Sequence, residues 1–119
     1  MLPRPKTIYV DVDGTLILKN GETNQDLIDF LISKANTYEL ILWSMAGERH
    51  AREVADRLKI TSLFSHILTK PGYMIDDDGK NWLRFTHLIS RLIYNANDSG
   101  NEADFITKQE THYETKDCL

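Results

Sequence analysis

A three-layer α/β domain, in which a parallel sheet carries helices on both faces, is the fold class this sequence predicts. Three observations support it. Short apolar runs recur along the chain, they alternate with segments of helical periodicity, and each run leads into an acid, a hydroxyl or a lysine-bearing loop. Strands linked by helices form a parallel sheet, and right-handed crossovers bring the strand C-terminal ends to one edge. Ligands bind at that edge in sheets of this kind.

Thr7 to Val12, dense in β-branched residues, is the first strand, and it delivers Asp11 and Asp13 into Gly14-Thr15. Lys19-Asn20-Gly21 is a turn signal, so Leu16 to Glu22 reads as a small hairpin flap. Asn24 reads as a helix N-cap, because Leu27, Phe30, Leu31 and Lys34/Ala35 recur at helical spacing up to about Asn36. Glu39 to Trp43 is a short buried strand bounded by Ser44 and Gly47. From Glu48, the residues Ala51, Val54, Ala55 and Leu58 form one apolar stripe, while Arg49, Arg52, Glu53, Asp56 and Arg57 lie on a solvated face.

Ser65 to Leu68 and Tyr73 to Ile75 are the third and fourth strands, separated by Thr69-Lys70-Pro71-Gly72. Asp76-Asp77-Asp78-Gly79 closes the fourth. Asn81 to about Tyr94 is expected to be helical, with Trp82, Phe85, Leu88/Ile89 and Leu92 on one side. Beyond Asn95 the composition turns polar. Residues 1–95 are thus expected to form one domain, and 96–119 a polar tail that is disordered or docked.

A chain of 119 residues suits one compact domain and is too short for two of usual size. Its 18 acidic against 14 basic residues give a net charge of −4, which disfavours a generally nucleic-acid-coated surface but leaves room for a local basic patch. The single cysteine, Cys118, rules out an intrachain disulfide or thiolate metal cluster and suits a reducing cytoplasm. The start, Met1 to Lys6, lacks the apolar core of a signal peptide, and no apolar run approaches the roughly 18 residues of a membrane span. Cys118 is too near the end for a prenylation box. The expectation is a soluble cytoplasmic protein with no membrane partner.

Topology gathers what the sequence disperses. Asp11 and Asp13 follow the first strand, Ser44 the second, Lys70 the third, and Asp76 and Asp77 the fourth. Acids from two strand ends supply hard oxygen ligands, and Mg²⁺ takes one or two carboxylates while keeping waters and substrate phosphate oxygens. An aspartate attacking a phosphate dianion meets a repulsion of about 4 kcal/mol at about 4 Å with an effective dielectric near 20. Mg²⁺ and Lys70 would offset it. Ser44 lies at the mouth of a helix beginning near Gly47, where its hydroxyl and the free helix amides would face the same phosphate oxygens. One carboxylate can then act as nucleophile, and the one two residues on as general acid and base.

These residues resemble the motifs of the haloacid dehalogenase superfamily of aspartate-nucleophile phosphohydrolases. Asp11-Val12-Asp13-Gly14-Thr15 is similar to that family's first motif in full, and Leu40-Ile41-Leu42-Trp43-Ser44 to its second. Lys70 corresponds to the third, and Met74-Ile75-Asp76-Asp77 to the fourth. The resemblance covers roughly residues 7–80. It implies a Rossmann-like fold and a Mg²⁺-dependent phosphomonoester hydrolase with Asp11 as nucleophile and metal ligand. It also implies that Asp13 is the general acid/base and offers the metal its backbone carbonyl, and that Ser44 and Lys70 bind the phosphoryl group. Asp76 and Asp77 would complete the metal site. A third acid, Asp78, departs from the pattern; Asp76 and Asp77 are preferred because they directly follow the apolar run.

Family members differ in inserted cap domains, and here neither the flap nor the interval from Ser44 to Lys70 has room for one. A capless site is open. In this family that resembles enzymes acting on exposed phosphates of polynucleotides or proteins, or enzymes closed by an oligomer partner, so a homo-oligomer is one arrangement the reading allows. Tyr73, Trp82 and the polar tail are candidate substitutes for a lid.

Plainer readings exist for each element. The acidic pair falls at calcium-loop offsets, but Leu16 stands where that loop needs glycine. Ser44 alone would be a helix cap, Lys70 a solvated charge, and Asp76-Asp77-Asp78-Gly79 a turn. Their joint order favours a phosphoryl site. His50, His66, His87 and His112 lack ligand spacing and are taken as structural or exposed, and Trp43 and Trp82 as core or rim. Arg49 reads as part of a wet helix face, close enough to the site to meet an anionic substrate. Two rival functions use the same residues: phosphotransfer to an acceptor other than water, and a non-catalytic phosphate- or metal-binding module.

Overall fold

The computed structural model describes residues 5–89 and 93. They fall in two units, Pro5–Gly72 and a second whose described part begins at Tyr73. Among the described residues, no helix is long and apolar enough to cross a membrane.

The first unit is a small α/β body. Thr7-Ile8-Tyr9-Val10 supplies β-branched and aromatic side chains suited to a pleated, half-buried surface, and forms β1 (Thr7–Asp11). The chain then turns through the flap, where the Leu18 amide donates to the Glu22 carbonyl at 2.8 Å and Leu16 and Leu18 are buried. Helix α1 (Gln25–Lys34) starts at the expected cap: Asn24 Oδ1 accepts the Leu27 amide at 3.1 Å. Its buried residues are Leu27, Ile28 and Leu31. The stripe is therefore rotated from the expected one, with Ile28 in the place given to Phe30. Phe30 is only half-buried at the rim, its ring centroid 5.6 Å from the Lys34 ammonium.

Strand β2 (Glu39–Ser44) includes Ser44 as its last residue. Helix α2 (Glu48–Arg57) buries Ala51, Val54 and Ala55, three of the four residues of its predicted stripe, and packs on β2 and on β3 (His66–Thr69). β3 lies one residue later than predicted at both ends.

The strands run parallel in the order β1-β2-β3. Asp11 lies opposite Trp43, and Ser44 opposite Thr69, so the ends of all three strands share one edge. Val10, Leu42 and Ile67 stand abreast and are buried. The alternate positions Tyr9, Trp43 and Leu68 occupy the other face, where Tyr9 and Leu68 are exposed and Trp43 is half-buried.

Two predicted elements are corrected in the second unit. No strand forms at Tyr73–Ile75: the triplet between Gly72 and Asp76 joins no ladder, and Tyr73 and Ile75 are 90% and 104% exposed. Asp76 and Asp77 accordingly stand in a loop and not at a strand end. The α-helix expected from Asn81 is instead a 3₁₀ helix, Gly79–Phe85. Gly79 enters it at a φ of +58°, the Asp78 side chain makes no cap, and Thr86 leaves it extended, so the winding stays tight and short. Apart from residue 93, the rest of that predicted helix past Ile89 and the tail at 96–119 lie outside the described residues.

Candidate functional site

Asp11 is the last residue of β1, and the chain turns sharply after it. The Val12 carbonyl accepts the amides of Thr15, Leu16 and Ile17 at 3.2, 2.9 and 3.0 Å. Gly14, at a φ of +83°, supplies the left-handed residue the turn needs, and its amide donates to the Ile17 carbonyl at 2.7 Å. Asp11 and Asp13 are thereby held one residue either side of the buried Val12.

The Asp11 carboxylate is engaged at both oxygens. Thr15 Oγ1 donates to Oδ2 at 3.1 Å, and Lys70 Nζ lies 3.6 Å from Oδ1. Both ion-pair partners keep about a third of their side-chain surface in water, 32% for Asp11 and 34% for Lys70. Lys70 Nζ also lies 5.6 Å from the centroid of the Trp43 ring, which abuts Tyr9 with centroids 4.6 Å apart. The lysine is thus fixed between an aromatic wall and the carboxylate. Lys70 comes within reach because its backbone is tied down: its amide donates to the Ser44 carbonyl at 2.9 Å.

Ser44 is 1% exposed, and its Oγ accepts the Ala46 amide at 3.0 Å. Its carbonyl also accepts the Gly47 amide at 3.1 Å. Gly47, at a φ of +109°, is the N-cap of α2, and the next amide, that of Glu48, donates to Thr69 Oγ1 at 2.9 Å. The amides of Ala46, Gly47 and Glu48 are therefore used inside the protein. What Ser44 retains is a hydroxyl proton with no acceptor among the described residues, and Gly47 contributes the turn that starts the helix.

Two residues of this arrangement escaped the sequence reading. Thr69 caps α2 from the end of β3 and joins two strand-end loops. His50, in the first turn of α2, places Nε2 3.0 and 3.2 Å from the two carboxylate oxygens of Asp13. The signal available for His50 was its position three residues past the N-cap of a helix that begins at the site edge. Its facing depends on how α2 is rotated on the sheet, which spacing alone does not specify.

Asp11, Asp13, Ser44, Gly47 and Lys70 are thus brought together at one edge of the first unit. Asp76 and Asp77 belong to the second. There Asp76 Oδ1 accepts the Asp78 amide at 2.8 Å and its carbonyl accepts the Gly79 amide at 3.1 Å, an Asx-type turn. Asp78 pairs with Arg84 at 2.6 Å, which sets it apart from Asp76 and Asp77.

Among the described residues, no three or more His, Cys, Asp or Glu side chains gather closely enough to hold a metal. Mg²⁺ needs only one or two carboxylates and fills its other positions with water and phosphate oxygens. At this edge Asp11 and Asp13 present hard oxygen donors, the Asp11 carboxylate partly exposed. Compared with protein-family models, with curated proteins and with solved structures, the chain matches none.

Proposed function

We propose that this protein is a phosphomonoester hydrolase working through an aspartyl-phosphate, on the frame of a capless, three-layer fold of the haloacid dehalogenase type. The observation that carries the reading is the setting of Asp11. It is a strand-end carboxylate oriented by Thr15 and flanked by Lys70, with a second acid, Asp13, two residues on. A structural salt bridge needs no second acid and no cationic side chain turned toward the open edge. A phosphoryl site needs both.

In this reading Asp11 attacks phosphorus, and the bond from phosphorus to the ester oxygen breaks. Asp13 gives its proton to the departing alcohol. Asp13, now ionised, takes a proton from water, the resulting hydroxide attacks phosphorus, and inorganic phosphate leaves with Asp11 regenerated. Lys70 neutralises charge on the phosphoryl oxygens, and the Ser44 hydroxyl donates to one of them. Asp11 and the Asp13 carbonyl would hold Mg²⁺. The ion supplies charge neutralisation that lets an anionic nucleophile approach an anionic substrate. The substrate class is a phosphomonoester, small or exposed on a polymer, and the lone cysteine suits a cytoplasmic setting.

The test is direct. Wild-type protein with Mg²⁺ should hydrolyse p-nitrophenyl phosphate and bind beryllofluoride, a mimic of the aspartyl-phosphate. Asp11→Asn should lower turnover by at least about 1,000-fold and abolish beryllofluoride binding, because an amide is no nucleophile. Full activity in Asp11→Asn would sink the proposal.

A further inference from the structure

The contact between His50 and Asp13 joins a helix to the acid on which both halves of the proposed reaction depend. Asp13 sits on a turn next to Gly14, its side chain 61% exposed. An exposed aspartate on a turn samples several rotamers, and only one can address both the leaving oxygen and the incoming water. His50 Nε2 faces the two oxygens of Asp13 almost evenly, at 3.0 and 3.2 Å. Opposite an ionised Asp13 two acceptors would repel at that distance, so in that state Nε2 carries the hydrogen and donates. The donor itself is rigidly mounted. Ala51, next in sequence, is fully buried, and the head of α2 is tied to β3 through the Glu48 amide and Thr69.

We infer that His50 is a positioning residue, whose Nε2–H holds the Asp13 carboxylate in the rotamer used for proton transfer. The inference rests on the proposed phosphatase reading and deepens it. His50 touches neither phosphorus nor the leaving group; it acts through Asp13. Its loss should leave substrate binding intact and slow the steps in which Asp13 moves a proton. A misplacement of about 1 Å in such a group costs on the order of 100-fold.

The two proton transfers can be separated by leaving group. p-Nitrophenolate departs without an acid, so with p-nitrophenyl phosphate only the hydrolysis of the aspartyl-phosphate needs Asp13. An alkyl phosphate such as glycerol 2-phosphate needs Asp13 in both steps. For His50→Ala, kcat on glycerol 2-phosphate should fall roughly 10- to 100-fold with KM within about twofold. With p-nitrophenyl phosphate, His50→Ala should show a burst of about one p-nitrophenol per site followed by slow turnover, since the aspartyl-phosphate accumulates. His50→Gln, which keeps an N–H donor on a side chain of similar reach, should recover much of both losses.

Unchanged kcat in His50→Ala, a loss confined to KM, or equal slowing on both substrates without a burst would each overturn the role. Failure of His50→Gln to exceed His50→Ala, with both variants giving wild-type circular dichroism, would do the same. Should wild-type protein neither turn over these esters nor bind beryllofluoride, it is the phosphatase reading that falls, and the role of His50 with it.

Discussion

Asn24 shows how much one side chain can bind together. It is 2% exposed and uses both ends of its amide: Oδ1 accepts the Leu27 amide at 3.1 Å, and Nδ2 donates to the Thr15 carbonyl at 3.0 Å. The first bond starts α1. The second holds the loop that carries Thr15, whose hydroxyl orients Asp11. Asn24→Ala removes a cap worth about 0.5–2 kcal/mol and strands a carbonyl at a cost of about 1–3 kcal/mol. Urea denaturation should show a combined loss of about 2–4 kcal/mol, because the two bonds share one side chain and do not add fully. Asn24→Asp separates the two contributions, since its carboxylate keeps the cap but presents an acceptor to the Thr15 carbonyl. It should regain only part of the stability, and it should turn over more slowly than wild type even where it is folded.

At the scale of elements, the start of α2 depends on Gly47. Its φ and ψ of 109° and 162° lie in the mirror-β region that only glycine enters readily. A Cβ there would meet nothing closer than Thr69 Oγ1 at 4.0 Å, so a larger residue would suffer backbone strain and no collision. Gly47→Ala should destabilise the fold by about 1–3 kcal/mol in denaturant unfolding. Gly47→Asn should fare no better, because the region is not the left-handed helical one that asparagine tolerates. If asparagine restored stability, the helix start would have to be a simple left-handed cap. The same helix shows what can be read without coordinates. The three strands, both helices and the Asn24 cap were legible because period 2 and period 3.6 are properties of the chain itself. Asp11, Asp13, Ser44 and Lys70 were legible as the residues that end or follow apolar runs. Tyr73-Met74-Ile75 misled, because an apolar triplet satisfies a strand pattern while only a ladder partner makes a strand. The stretch from Asn81 misled because a three-residue spacing such as Trp82 to Phe85 fits a period of 3.0 as well as one of 3.6. Thr69 and His50 were illegible for a different reason: their partners are 21 and 37 residues away, and their roles follow from packing.

For the molecule as a whole, the fold and the proposed metal draw on separate sources of stability. The first unit buries Val10, Leu42 and Ile67 from the sheet against the apolar stripes of its helices, a core that contains no acid. Its strand-end loops are tied to one another by protein hydrogen bonds, through Ser44, Lys70 and Thr69. Mg²⁺ would therefore be required for turnover and dispensable for folding, unlike a structural zinc whose binding energy is folding energy. Adding a chelator should abolish hydrolysis of p-nitrophenyl phosphate while shifting Tm by less than about 2 °C, a change smaller than 1 kcal/mol produces in a domain of this size. Restoring Mg²⁺ should return activity in full, and Mg²⁺ with beryllofluoride at about 100 times its Kd should stabilise the protein by about 2.7 kcal/mol. That rise belongs to the site, so Asp11→Asn should lack it while keeping the chelator-insensitive Tm of the wild type. A protein that unfolds on chelation would place the ion in the framework. A protein that hydrolyses phosphomonoesters equally well without any divalent cation would leave Lys70 as the sole counter-charge to Asp11, and the metal would have no part in the chemistry.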